Sequence, residues 1–199
     1  MRGRAGNRGD GGARPAVHDY TKVDVTFRPG TFAGYDEARL ARQLARLGLT
    51  TWVAYHRGRS QAYQKSKGLT DAELAEAERP TTDPKRRAYE RELNAIEGLG
   101  VSPGRAVRIR ARGLMEWTVD VLPGSVAKGE EAFLAELHGA IVALLADRRN
   151  KIIVLKSKYF DLGIPRKWLE VMAELQARAA ARKWAPGTRP GPTNQTFFW

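Results

Sequence analysis

Apolar and polar residues alternate at every second position in two parts of the chain, which is the spacing of strands that bury one face. In KVDVTFR, residues 22–28, two valines and a phenylalanine share one face, and charged or hydroxyl groups share the other. RIRARGLMEWTVDV, residues 108–121, repeats this spacing on both sides of Gly113. The first stretch therefore predicts a strand, and the second predicts a β-hairpin.

The register of the hairpin follows from keeping its large apolar side chains on one face. A loop of residues 111–113, with Gly113 in the left-handed conformation, meets this condition. The expected cross-strand pairs are then Ile109 with Met115, Val107 with Trp117 and Arg108 with Glu116. The opposite face is expected to display Arg108, Arg110, Glu116, Thr118 and Asp120.

Leucines at helical spacing predict a first helix that opens at Asp36 and ends near Gly48. Thr70 and Glu73 have the spacing of a capping box, and Asp83 followed by a proline is typical of a helix start. Residues 36–98 are therefore expected to form several short helices.

The longest amphipathic pattern lies in the C-terminal half of the chain. Residues 130–149 place large apolar side chains on one side, with two glutamates at the start and two arginines at the end, as the helix dipole prefers. KIIVLK, residues 151–156, predicts a strand, and Pro165 opens a last helix. Its buried seam is expected to contain Trp168, Met172 and Leu175.

The elements follow the order strand, helices, strand, strand, helix, strand, helix. This order predicts an α+β fold with a ferredoxin-like split βαβ sheet, β-α-β-β-α-β, that has an enlarged helical first crossover and an added C-terminal helix. Right-handed crossovers would place both connections on one face of the sheet. The other face of the antiparallel sheet would then remain open.

Both ends of the chain have compositions that do not favour a packed core. Residues 1–19 are rich in glycine and arginine, and residues 185–199 are rich in proline and glycine. We expect a disordered or docking N-terminal tail, a single α+β domain over residues 20–184, and an extended C-terminal tail. That last tail ends in Phe197, Phe198 and Trp199, which are expected to dock on the domain itself or on a neighbouring protein.

The formal net charge of +12 favours polyanionic partners. Three stretches inside the expected domain contain no acidic residue: 52–70, 98–115 and 148–160. Phosphate contacts are predicted for the basic side chains in and beside them. These are Arg57, Arg59, Lys65, Lys67, Arg108, Arg110, Arg149, Lys151 and Lys156.

One of these stretches follows a helix pattern interrupted by glycine. In LARQLARLGLTTWVAYHRGRSQ, residues 40–61, leucines at helical spacing precede Gly48, and Thr50 is placed to cap a second helix. The segment resembles a helix-turn-helix, whose second helix enters the major groove of DNA. The resemblance implies that a set of polar and aromatic residues lies on or near a recognition helix: Thr51, Trp52, Tyr55, His56, Arg57 and Arg59. An ordinary helical hairpin of the crossover is the alternative.

Three carboxylates suggest an enzymatic alternative. Asp24, Glu116 and Asp120 are expected on one sheet face, and the first and third strands of a split βαβ sheet are neighbours. Clustered carboxylates of this kind could hold the two divalent ions of a nuclease. A solvated strand face, with Arg108 paired to Glu116, is the competing interpretation.

Other chemistries have no motif in the chain. It contains no cysteine, no phosphate-binding or dinucleotide-binding glycine motif, no nucleophile-elbow motif and no paired zinc-binding histidines. No cofactor or resident metal is therefore predicted. No apolar run is long enough for a membrane span or a signal peptide, which predicts a cytoplasmic protein or one inside a particle assembled in the cytoplasm.

The sequence thus predicts a non-enzymatic basic protein that contacts nucleic acid mainly through phosphates, within a larger nucleoprotein assembly. One alternative is a structural subunit of a virus particle or another multi-chain machine, which docks on its neighbours through both tails or forms a homo-oligomer. The other is a metal-dependent nuclease.

Overall fold

The computed structural model describes residues 13–17, 23–68, 70, 72–73 and 82–181, and it shows an α+β fold. Two antiparallel sheets are present in this part of the chain, one with two strands and one with three in the order β3-β4-β5. The strands are β1 (Ala13–Val17), β2 (Val23–Phe27), β3 (Glu97–Val101), β4 (Val107–Arg112) and β5 (Glu116–Val121). The helices are α1 (Glu37–Lys67), α2 (Pro84–Ala95), α3 (Glu130–Tyr159) and α4 (Arg166–Ala181), with short 3-10 turns at Phe32–Gly34 and Val126–Lys128.

The predicted helix starts are confirmed by their capping contacts. The backbone N–H of Arg39 donates to Asp36 Oδ1 at 2.6 Å, and that of Lys85 donates to Asp83 Oδ1 at 2.9 Å. The N–H of Thr70 donates to a Glu73 carboxylate oxygen at 2.8 Å, and the N–H of Glu73 donates back to Thr70 Oγ1 at 3.3 Å. Each cap pairs N–H groups that a helix start leaves without an intrahelical acceptor.

The predicted end of α1 near Gly48 is wrong, because the helix continues to Lys67. Gly48 lies against β5, and a Cβ atom added there would lie 2.6 Å from Trp117 Cε3. The glycine therefore allows a close helix–sheet contact and does not end the helix.

The predicted strand at 151–156 is also wrong, since these residues extend α3 to Tyr159. Leu144, Arg148 and Leu155 are buried at helical spacing, so the buried face of α3 continues through the segment. Without that strand, and with β2 paired to β1, the ferredoxin-like layout is not confirmed in the described part of the chain.

The strand β3 was not predicted, because its glycines resemble a helix terminus. Gly98 and Gly100 are buried against α3. A Cβ atom at Gly100 would lie 2.6 Å from the backbone nitrogen of Leu144 and nearer still to the carbonyl oxygen of Ala140. These glycines let the backbone of α3 lie directly on the sheet.

The hairpin β4-β5 has a different register from the predicted one. Its pairs are Ile109 with Val119, Arg108 with Asp120 and Ala111 with Trp117, so the loop is formed by residues 113–115. Gly113 and Leu114 have φ angles of 56° and 60°, as a type I′ turn requires. The loop buries Leu114 completely, and Trp117 Nε1 donates to its carbonyl oxygen at 2.7 Å. Both registers place the same residues on each face, which is why the facing pattern did not separate them.

The core lies on one face of the three-stranded sheet, beneath both long helices. Its largest buried side chains include Leu40 from α1, Val107 from β4, and Phe133, Leu137 and Leu144 from α3. The opposite face displays alternate residues of the same strands, among them Arg110, Thr118 and Glu116.

Two further features concern the ends of the described chain. Part of the predicted N-terminal tail forms β1, whose Pro15 lies opposite Val25 in a two-stranded pair that tolerates a missing N–H.

The predicted buried seam of α4 is wrong, since Trp168 is 67% exposed and Leu175 is 59% exposed. A 30-residue helix is about 45 Å long, whereas a six-residue strand is about 20 Å long. Because α3 is much longer than the strands, α4 begins beyond the edge of the sheet. None of the described helices is both long and apolar enough to span a membrane.

Two glycines of α1 provide a matched test of the contact with β5. Gly48→Ala should lower the free energy of unfolding by about 1–3 kcal/mol, because the added methyl group displaces the Trp117 ring. Gly58→Ala should leave the stability unchanged or raise it by up to about 1 kcal/mol, because open space surrounds that position. Urea denaturation of both variants measures the difference; equal effects would contradict the proposed helix–sheet contact.

Candidate nucleic-acid interface

The two long helices of the core run in the same direction. Near their starts, the rings of Phe32 and Phe133 lie 5.5 Å apart. Further along, the Arg148 guanidinium of α3 lies 5.6 Å from the Trp52 ring of α1. Both helices continue past this contact, so their C-terminal portions extend toward one end of the molecule. We call residues 52–67 of α1 together with residues 148–158 of α3 the basic end.

In α1 the basic end projects away from the core. Residues 57–61 are all exposed, and a Cβ atom at Gly58 would meet nothing within 4 Å. Arg57, Arg59 and Lys67 are exposed on this part of the helix. The side chain of Lys65 lies outside the described residues.

In α3 the predicted cations have different roles. Arg149 and Lys156 are exposed and seven residues apart, on the edge of the helix that also carries Leu145, which faces α1. Lys151, in contrast, is held by the sheet: its Nζ donates to Asp147 Oδ2 at 2.8 Å and to the carbonyl oxygen of Glu97 at 2.7 Å. Arg149 and Lys156 are therefore the predicted cations of α3 that are presented to solvent.

A positive electrostatic environment forms where the two helices meet. The pKa of His56 lies below its ordinary value, because of partial burial and because of the charges of Arg59 and Arg148. Its ring packs against Trp52 with centroids 4.4 Å apart, and the residue as a whole is exposed. The guanidinium groups of Arg59 in α1 and Arg148 in α3 thus both lower the pKa of His56.

Arg148 belongs to this group, although it is not among the residues for which the sequence predicts phosphate contacts. It is 9% exposed and lies four residues after the buried Leu144. This spacing could have identified it, because an arginine that continues an apolar stripe packs its stem into the core and keeps its charge at the rim.

The open sheet face presents fewer exposed cations than expected. Arg108 is 8% exposed, and its Nε donates to Asp120 Oδ2 at 2.8 Å. The expected partner, Glu116, instead lies opposite Arg112, because of the changed register. Arg110 is 3.8 Å from the same Asp120 carboxylate and remains 38% exposed at its side chain. Burial and ion pairing therefore remove Arg108 from the candidate surface, whereas Arg110 stays on it.

The three carboxylates of the nuclease hypothesis are not brought onto adjacent strands. Asp24 lies on β2, in the other sheet, and its side chain is outside the described part of the structure. Asp120 is paired with Arg108, and Glu116 is exposed. Among the described residues, no group of three or more histidines and carboxylates could hold a metal ion.

The helix-turn-helix interpretation is wrong, because residues 40–61 lie within one continuous helix. Thr50 caps no second helix; its Oγ1 donates to the carbonyl oxygens of Arg46 and Leu47, each at 3.1 Å. The residues expected on the recognition helix still lie together on α1. Phe197, Phe198 and Trp199 fall outside the described residues.

Comparison of the chain with protein-family models, with curated proteins and with solved structures gave no match.

The lowered pKa of His56 predicts a pH-dependent stability. As the pH falls below about 6.5, the unfolded chain takes up the His56 proton before the folded chain does, so the folded state loses stability. His56→Gln should reduce the loss of stability between pH 7.5 and pH 5.5, measured by urea denaturation. His138→Gln, at an exposed position of α3, is the control and should retain the parent's dependence. An unchanged pH dependence in His56→Gln would contradict the assignment.

Proposed function

We propose that this protein binds nucleic acid without catalysis, mainly through phosphates, and that the basic end is the contact surface. The observation that supports this proposal is the contact of Arg148 with Trp52, because it brings together the starts of the two basic segments of α1 and α3. The segments contribute four and five lysines and arginines respectively, and neither contains an acidic residue, but two of the cations of α3 are paired with carboxylates outside the segment, Lys151 with Asp147 and Lys158 with Glu92.

The arrangement of charges suits a phosphate backbone better than a single anion. Arg57 and Lys67 are exposed ten residues apart on α1, a span of about 15 Å along a helix. Arg149 and Lys156 continue the exposed positive charge on α3. Successive phosphates of one strand of DNA are spaced far more closely than this, so several of them could contact the surface at once.

The aromatic side chains beside these cations favour phosphate contact over base stacking. The Trp52 ring is already packed against Tyr55, with centroids 5.8 Å apart, against His56 and beneath Arg148. A base would need to displace these neighbours to stack on it. Contacts that position a nucleic acid without reading its sequence are therefore proposed.

Charge reversal at the basic end tests the proposal. Arg57→Glu with Arg59→Glu should abolish retention on immobilised duplex DNA and single-stranded RNA at low salt. The matched control is Arg28→Glu with Lys128→Glu, two exposed residues beside the other end of the helices. Each double variant lowers the formal net charge of +12 by four, so the control separates a local surface from overall charge. Equal retention of the two variants would contradict the proposed surface.

A structural subunit of a multi-chain assembly is the second candidate. The observation that favours it is the exposed apolar face of α4, formed by Trp168, Val171 and Leu175. Exposed apolar patches of this kind are typical of protein–protein contacts. The two functions are compatible in a nucleoprotein assembly, but an assembly subunit without a nucleic-acid role would fail to bind either polymer in the retention experiment even as the parent protein.

A further inference from the structure

The C-terminal part of α1 begins with a turn that is exposed on every side. We call residues 57–67 of this helix the arm. Successive residues of a helix are turned by about 100°, so the consecutive residues 57–61 together cover its whole circumference, and all of them are exposed. A Cβ atom at Gly58 would meet nothing within 4 Å. No face of this turn is therefore buried against the described core.

This turn lacks the usual sources of support for a helix. It buries no apolar face, and residues 52–70 contain no acidic residue with which its cations could form ion pairs along the helix. A helix that is polar on all sides and lacks such pairs is marginal in water. A binding partner that encloses the arm would therefore stabilise it.

The two arginines of the turn lie on opposite sides of the helix. Arg57 and Arg59 are two residues apart, which places them about 200° apart around the helix axis. Both are exposed. A flat anionic surface can contact only one of these sides, whereas a groove bordered by two rows of phosphates can contact both. The arrangement of charges therefore fits an anionic groove.

We infer that the arm enters the major groove of B-form duplex DNA, an assignment that rests on the proposed nucleic-acid binding. Arg57 and Arg59 then face the phosphates on the two borders of the groove. A helix with its side chains is about 10–12 Å in diameter, and the major groove is about 12 Å wide. The minor groove, about 6 Å wide, is too narrow for the arm, and so is the deep major groove of duplex RNA.

Gly58 lies between the two arginines on the circumference, about 100° from each, and therefore faces the floor of the groove in this arrangement. Because it has no side chain, the helix backbone can approach the bases closely. Ser60 lies about 200° from Gly58, on the side that faces away from the floor. Gly58→Leu and Ser60→Leu are therefore a matched pair, because both positions are exposed and neither substitution changes the charge.

Binding of the full chain to three labelled oligonucleotides tests the assignment: a 20-base-pair DNA duplex, an RNA duplex of the same sequence, and one strand of the DNA. The parent should bind the DNA duplex about tenfold more tightly than the RNA duplex, because only the DNA groove admits the arm. Gly58→Leu should weaken binding to the DNA duplex about tenfold and leave binding to the single strand unchanged, because the added side chain blocks the approach to the groove floor. Ser60→Leu should bind all three as the parent does. Urea denaturation verifies that both variants are folded.

Protection of guanine N7 from methylation reports directly on the groove, because this atom lies in the major groove. The parent should protect it, and Gly58→Leu should protect it less. Equal affinity of the parent for the two duplexes, equal DNA affinity of the two variants, or unprotected guanine N7 in the parent complex overturns the inference and leaves the proposed function standing. A parent protein that binds none of the three oligonucleotides contradicts the proposed function, and the inference with it.

Discussion

The close contact between α3 and the glycines of β3 determines how the long helix lies on the sheet. Any side chain at Gly100 would collide with the backbone of α3, so the helix can lie this near only because two strand positions lack a Cβ atom. Glycine in a strand costs about 0.5–1 kcal/mol relative to alanine, whereas burying a leucine or phenylalanine contributes about 1.5–3 kcal/mol. Burial of Phe133, Leu137 and Leu144 by α3 therefore outweighs the cost of the glycines. Gly48 has the same role where α1 meets Trp117.

The glycine contacts of α3 with β3 and of α1 with Trp117 together fix the direction of both helices. They therefore determine where the basic end lies. Since each helix lies against the same sheet face from its first turns, the helices remain neighbours as far as Trp52 and Arg148. Beyond that point both helices continue: residues 57–61 of α1 are exposed, whereas the C-terminal part of α3 packs against α2 and leaves Arg149 and Lys156 exposed. The same arrangement leaves a cavity between α1, α3 and the sheet.

Local patterns predicted local structure well. The strand at 23–27, the facing pattern of the hairpin and the caps at Asp36 and Asp83 each depend on a few adjacent residues, and the structure confirms them. The α+β class follows from the same patterns. These features could be predicted because neighbouring residues and backbone groups determine them.

The errors arose where distant contacts determine the outcome. Gly48 and the glycines of β3 resemble helix ends unless the opposing Trp117 and Leu144 are known. KIIVLK fits a buried strand or a helix equally well as a short apolar run, and the stripe through Leu144, Arg148 and Leu155 decides for the helix. Of the cations for which phosphate contacts are predicted, Arg57, Arg59, Arg149 and Lys156 are exposed, whereas Arg108 is buried and paired with Asp120, a contact decided by the register.

If α1 and α3 form one phosphate-binding surface, as we propose, the salt dependence of DNA binding should decrease when arginines of either helix are neutralised. Association of the full chain with a labelled 20-base-pair duplex is measured over a range of salt concentrations for the parent, Arg59→Gln, Arg149→Gln and the double variant. If each arginine contacts a phosphate, each single variant should reduce the slope of log affinity against log salt by about 0.9, and the double variant by about twice that amount. Slopes equal to that of the parent in all three variants would contradict the account.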